Sequence, residues 1–218
     1  LVGTALGFFM GCLIQFFDLP PFIITLAGLY LARGLCYVVS LDTIAISDSF
    51  FQAAAHSQIK VVGDNFVSPS AVIALAVVAV GAYVLRFTRF GRTIYAIGGN
   101  EQSALLMGLP VARTKIAIYA LSGFCSALAG IVFTFYTLSG YALDGKGMEL
   151  DAIATVVIGG TLLTGGVGSA FGTVLGVLVY GTIQVLIVFQ GTLNSWWTRI
   201  VIGFLAGMFG LGAGWANV

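Results

Sequence analysis

Between Asp151 and Arg199 the chain carries no charged residue. As a single α-helix, Ala152–Thr198 would run for about 70 Å, more than twice the hydrocarbon core of a bilayer. The run must therefore turn. Its strongest breaker is Gly165-Gly166-Val167-Gly168, which leaves Asp151–Thr164 as a segment of roughly 21 Å. A segment that short is either a compressed span or a re-entrant half-helix. Irregular backbone at membrane depth is tolerated only inside protein or beside a cavity.

The rest of the chain follows the same logic. Ile116–Leu143 and Ile200–Val218 are also free of charge, and only 8% of the 218 residues are charged, against about 25% in soluble domains. Seven apolar segments are helical by length and composition: Leu1–Phe17, Phe22–Val39, Pro69–Leu85, Ile116–Leu138, Asp151–Thr164, Ser169–Phe189 and Trp197–Gly214. Ser68-Pro69 supplies an N-cap and a first-turn proline. Asp18-Leu19-Pro20-Pro21 separates the first two segments. The expected fold class is all-α, a polytopic transmembrane helix bundle of six to seven segments, one of them spanning or re-entrant. It forms a single membrane domain over residues 1–218.

Charge orients the bundle. Residues 86–115 hold Arg86, Arg89, Arg92, Arg113 and Lys115 against Glu101, a surplus of four positive charges in a chain of net +1. Loops rich in Lys and Arg stay in the cytoplasm. Alternation then puts residues 40–68 outside, where Asp42, Asp48 and Asp64 face Lys60. Ser139–Asp151 is also outside, with Asp144, Glu149 and Asp151 against Lys146. Trp196 and Trp197 fall at an outer interface, where an aromatic belt belongs.

Thirty glycines recur at four-residue spacing, as in Gly3/Gly7/Gly11, Gly168/Gly172/Gly176 and Gly203/Gly207. Small residues at that spacing let helix backbones approach closely in lipid. Cys12, Cys36 and Cys125 have no CxxC spacing and read as small apolar residues. Gly140–Lys146 fits GxxxxGK, but Gly147 stands where a phosphate loop needs Ser or Thr. His56, the only histidine, has no metal-ligand neighbours in the sequence. No catalytic constellation appears, which argues against an enzyme. Leu1 opens directly on an apolar segment with no basic region before it, so the sequence reads as a chain whose amino-terminal portion is missing.

The basic segment has the most specific content. Gly98-Gly99 offers a hinge, Asn100 an N-cap, and Glu101 a charge suited to the helix dipole. Ala104-Leu105-Leu106-Met107 continues the turn, Gly108 stops it and Pro110 follows. The spacing predicts a helix of about two turns with apolar side chains. Such a helix either lies on lipid or docks in a groove of another protein.

At this point the sequence resembles a known family. RFGRTIYAIGGNEQSALLMGL, LPPFIITLAGLYLARG, ELDAIATVVIGGTLLTGGVGSAFGTVLGVL and GTLNSWWTRIVIG are similar to blocks of the permeases of bacterial ABC sugar importers of the ribose/galactose/xylose class. The last three look closest to galactofuranose-type permeases. The blocks occur in order over nearly the whole chain. The family has an additional amino-terminal membrane portion with an IDLSVG-like motif that this sequence lacks.

The resemblance implies a multi-pass subunit of the bacterial inner membrane that pairs with a second permease subunit, as homo- or heterodimer. It implies a monosaccharide delivered by a periplasmic sugar-binding protein to an outer face that includes loop 40–68. Two cytoplasmic ABC ATPase subunits would use ATP and Mg²⁺; the chain itself would bind no cofactor, metal or nucleic acid. Residues 86–115 become the cytoplasmic coupling loop, with Asn100–Gly108 as coupling helix. Its expected contact residues are Arg92, Tyr95, Gly98, Gly99, Asn100, Glu101, Ala104, Leu105, Met107 and Gly108.

For the translocation path, Gly159-Gly160 and Gly165-Gly166 bracket a segment suited to irregular backbone beside a pathway. Tyr30, Thr155, Thr161 and Gln184 offer hydrogen bonds to sugar hydroxyls or simply pack. Glu149 and Asp151 form either a solvated helix start or the pathway mouth. Two other readings stand beside the sugar permease. One is an ABC permease for branched-chain amino acids or another small solute. The other is an ion-coupled secondary transporter, which would need intramembrane carboxylates or histidines; the spans hold essentially Arg33 alone.

Overall fold

The computed structural model describes residues 1–48, 51–52, 59–62, 65–190, 197, 199–205 and 207–208. His56, Asp64 and Trp196, and with them part of the outer loop and of the last apolar segment, lie outside these residues. Six of the seven expected segments are helices. They are α1 (Val2–Phe16), α2 (Pro21–Val39), α3 (Pro69–Phe87), α6 (Val111–Thr137), α7 (Met148–Ile158) and α8 (Ala170–Gln190). Residues 199–205 of the seventh are helical. The basic segment contributes α4 (Arg89–Gly99) and α5 (Glu101–Leu106). Among the described residues, α2, α3, α6 and α8 are long and apolar enough to cross a membrane, whereas α1 is shorter.

The chain divides into two compact units. The first comprises Leu1–Ala76 and Pro110–Asp144, the second Val77–Leu109 and Gly145–Val218. In the first unit α1 lies antiparallel along α6 through the glycine stripe read from the sequence. A Cβ at Gly3 would meet the Gly123 carbonyl oxygen at 2.7 Å, one at Gly7 would strike the Tyr119 carbonyl, and one at Gly11 would meet the Ile116 Cα at 3.0 Å. Small residues are what allow two backbones to come this close. Burial follows the same rule. The buried side chains are small or β-branched, such as Thr93, Ala104, Thr114, Thr155 and Val157, while Phe22 and Phe189 are among many exposed large apolar residues. An apolar exterior over a small-residue interior suits a hydrocarbon solvent.

Two short ribbons add to the all-α expectation. β1 (Ile44–Ala45) pairs antiparallel with β4 (Ser139–Gly140), Ile44 opposite Gly140 and Ala45 opposite Ser139. β2 (Ile59–Val62) pairs with β3 (Asn65–Val67). The first ribbon joins the chain leaving α2 to the chain leaving α6, and the Ile46 amide adds a bond to the Leu138 carbonyl at 2.9 Å. The chain leaving α2 and the chain leaving α6 therefore meet at one end of the first unit.

α6 starts at Val111, five residues before the apolar run that announced it. The Thr114 amide and hydroxyl both donate to the Pro110 carbonyl, at 3.0 and 2.9 Å. The helix thus takes in Arg113 and Lys115, because a backbone ladder need not stop where the apolar side chains do.

Candidate functional site

The second unit contains nearly all the residues singled out in the sequence. α4 begins at Thr88, whose hydroxyl oxygen accepts the Gly91 amide at 3.2 Å and whose proton goes to the Val84 carbonyl at 2.6 Å. Arg89 and Arg92 lie three residues apart on its exposed face, and Gly91 and Thr93 are buried. The expectation of a glycine hinge at Gly98-Gly99 is corrected here. Helix α4 continues through both glycines and packs its end on the glycine turn after α7. A Cβ at Gly98 would meet the Gly166 amide nitrogen at 2.5 Å, and one at Gly165 the Gly98 carbonyl oxygen at 2.8 Å. One turn earlier, the Tyr95 hydroxyl donates to the Gly168 carbonyl at 2.9 Å. Gly98 is there for close approach, whereas a Cβ at Gly99 would meet nothing within 4 Å.

α5 forms as the caps required. The Asn100 side-chain oxygen accepts the Ser103 amide at 2.8 Å, and Glu101 opens the helix. At the other end Gly108 has φ +74°. Its amide donates to the Leu105 carbonyl at 2.9 Å, and the Leu109 amide to the Ala104 carbonyl at 3.1 Å. This pair of bonds is the Schellman arrangement, with glycine in the left-handed position. The helix is six residues long, about one and a half turns. Ala104 is completely buried, so it offers no outward surface. That surface consists of Leu105, Met107 and, most of all, Leu106, which is 90% exposed. The apolar run contained Leu106, but no spacing rule distinguished it from its neighbours on so short a helix.

α7 ends in the same cap as α5. The Gly160 amide donates to the Val157 carbonyl at 2.9 Å and the Thr161 amide to the Val156 carbonyl at 3.2 Å, with Gly160 at φ +83°. The helix is therefore only 11 residues long, roughly 16 Å. The chain from Gly159 to Ser169 is the irregular segment that the two glycine pairs suggested. Gly159 sits against α8, where its Cβ would meet the Gly172 carbonyl oxygen at 2.5 Å. Gly176 comes equally close to the Thr155 carbonyl, and Thr161 packs on Gly168.

The remaining path candidates separate. Thr155 is buried and gives its proton to the Asp151 carbonyl of its own helix at 2.6 Å, so it acts in helix packing. Tyr30 stands 66% exposed on α2 in the first unit. A Glu149 carboxylate oxygen accepts the Gly147 amide at 3.1 Å, closing the turn into α7. Asp151 lies near Tyr180, whose hydroxyl oxygen receives the Gln184 side-chain N–H at 3.3 Å. Arg199 reaches the same place, lining a cavity with Asp151 and passing over Gly147. Tyr180 and Arg199 were hidden in the sequence. Tyr180 is a single polar residue in the middle of an apolar run and Arg199 one at the edge of another, and only the fold brings them to Asp151.

Residues 1–207 match the family described as branched-chain amino acid transport system / permease component. The chain is 49% identical to the inner membrane ABC transporter permease protein YjfF of Escherichia coli (strain K12), over 100% of this chain and 67% of that protein. It is 43% identical to the fructose import permease protein FruG of Bifidobacterium longum (strain NCC 2705), over 96% of this chain and 63% of that one. With the ribose import permease protein RbsC of Haemophilus influenzae (strain ATCC 51907 / DSM 11121 / KW20 / Rd) the identity is 39%, over 83% and 56%. The chain thus spans between about half and two thirds of these relatives' length. No solved structure matches it significantly.

Proposed function

The chain belongs to the family of branched-chain amino acid transport system permease components, and from that premise we propose that it forms part of the membrane pathway of an ATP-driven monosaccharide importer. It is a multi-pass protein of the inner membrane, with four helices long and apolar enough to cross. Sugar is favoured over amino acid because relatives matching most of this chain are named as fructose and ribose import permeases.

The observation that carries the mechanism is the seat of α4 on the glycine turn. α5 presents Leu105, Leu106 and Met107 outward on a capped, rigid tip. It is joined through Asn100 to α4, whose last turn rests on Gly165–Gly168. A cytoplasmic ATPase subunit that grips α5 would displace α4, and α4 has no slack against that turn because backbone meets backbone there. The displacement reaches the end of α7 and, through the Gly159–Gly172 contact, α8. In this reading the ATPase subunits use ATP and Mg²⁺, a binding protein delivers the sugar on the opposite face, and a second permease subunit completes the pathway.

Uptake of radiolabelled D-ribose, D-fructose and L-leucine by the full-length protein with its ATPase and binding protein tests the proposal. Sugar uptake that needs ATP and survives collapse of the ion gradients is the expected result. Uptake abolished by that collapse while ATP remains would make the chain an ion-coupled carrier. Import of leucine alone would move the cargo to amino acids.

A further inference from the structure

The end of α7 opposite the glycine turn holds a cavity whose largely apolar wall carries two opposite charges. Its volume is about 230 Å³, and Asp151 and Arg199 line it together with Gly147, Leu150, Ala154 and Ile202. A Cβ at Gly147 would lie 3.2 Å from an Arg199 guanidinium nitrogen, so the guanidinium lies over the α7 start. Behind Asp151 stands Tyr180 on α8, close enough to the carboxylate and to Arg199 for both charges to act on its hydroxyl. Gln184, one turn further along α8, donates to the Tyr180 oxygen at 3.3 Å.

These groups form an ordered series: an amide donates to a phenol, the phenol lies beside a carboxylate, and the carboxylate shares a cavity wall with a guanidinium. The carboxylate offers only acceptors and the guanidinium only donors. One hydroxyl can donate to the first while its neighbour accepts from the second, in the strong charge-assisted class of hydrogen bond. The two charges cancel, so neither an anion nor a cation is drawn in. Leu150, Ala154 and Ile202 supply the apolar wall on which the C–H face of a ring would lie. Asp151 and Arg199 are also the charges that delimit the long uncharged run.

We infer that this cavity is a station for a neutral monosaccharide, in which Asp151 and Arg199 touch the sugar hydroxyls. Tyr180 and Gln184 are positioning residues that hold the Asp151 carboxylate toward the cavity. The inference rests on the transport reading above and adds to it a place and the residues that would hold the sugar there.

The test uses the full-length permease with its ATPase and binding protein in proteoliposomes, and radiolabelled D-ribose, D-fructose, D-galactose and L-arabinose. With the binding protein saturated by each sugar in turn, differences in rate between sugars report on steps after delivery. Asp151→Asn and Arg199→Lys are expected to alter the ratios of these rates by about tenfold, the effect of one charge-assisted hydrogen bond weakened. Tyr180→Phe removes a single oxygen and should shift the same ratios in the same direction by a smaller factor. The ratio of ATPase to permease in the purified complex checks assembly, and if Asp151→Asn does not assemble, the other two variants decide. If the assembled variants keep the wild-type ratios, slowing all sugars equally or none, the station is overturned and transport stands. If the wild-type complex imports none of the four sugars, the transport reading falls and the station with it.

Discussion

The Tyr95 hydroxyl donates to the Gly168 carbonyl across 2.9 Å, tying the helix before the exposed α5 tip to the turn between α7 and α8. The bond is single and side chain to backbone, whereas the Gly98–Gly166 contact next to it is backbone to backbone. The two should respond differently to substitution. Tyr95→Phe loses about 1 kcal/mol of local stability, and a modest fall in transport with normal assembly is expected. Gly98→Val drives a branched side chain into the Gly166 amide, where overpacking costs about 1–3 kcal/mol. Here ATP hydrolysis should continue while uptake drops by an order of magnitude or so. Measuring uptake per ATP hydrolysed separates the two, and an unchanged ratio in Gly98→Val would remove the seat from the mechanism.

The two caps of α5 make a second prediction. Asn100→Ala removes the acceptor for the Ser103 amide, a loss of about 1 kcal/mol. Gly108→Ala places a Cβ at φ +74°, a further cost of about 1 kcal/mol. On a six-residue helix that is enough to fray the tip. Faster hydrogen exchange confined to residues 100–109 in both variants is the expected readout. Exchange no faster than wild type would mean that something other than the caps holds the helix.

Exposure on α5 yields a third. In a background without Cys12, Cys36 and Cys125, a cysteine replacing Leu106 should react readily with a soluble maleimide in the isolated permease. A cysteine replacing Ala104 should stay unlabelled, since that position has no exposed surface. Adding the ATPase subunit should protect position 106. Leu106→Asp should then weaken the subunit association by about tenfold, as expected for truncating an apolar anchor worth more than 1 kcal/mol.

Much of this architecture was legible in the sequence because membrane chains advertise their spans by length and lack of charge. The α5 caps were equally legible, since Asn100, Gly108 and Pro110 each act on the backbone within a few residues. What the sequence concealed was long-range pairing. Gly98-Gly99 read as a hinge because a glycine pair is usually a local breaker. Its partner lies at Gly165-Gly166, far along the chain, and no local rule links them. Asp151, Tyr180 and Arg199 pose the same difficulty. Each has an ordinary local reading, as a helix start, an aromatic within a span or a flanking cation, and only the antiparallel return of α8 joins them. The end of α7 at Ile158 lay between these cases. The breaker Gly159-Gly160 was visible, but the stronger signal at Gly165-Gly166 hid where the helix stops.

The last prediction concerns the α1–α6 contact. Gly7 faces the Tyr119 carbonyl, and Gly123 faces the backbone of Gly3 and Gly7, so the two helices touch without side chains between them. In lipid there is little hydrophobic drive to bring helices together, and close packing of small residues takes its place. Gly7→Val and Gly123→Val should each force the helices apart and cost about 1–3 kcal/mol. Gly34 makes a control from the same unit, because a Cβ there meets nothing within 4 Å, and Gly34→Ala improves helix propensity by about 1 kcal/mol. Thermal unfolding in detergent should therefore show lower midpoints for the two valine variants and an equal or higher one for Gly34→Ala. If Gly7→Val unfolds at the wild-type temperature, the glycine stripe does not hold α1 on α6, and the packing of the first unit must rest on other contacts.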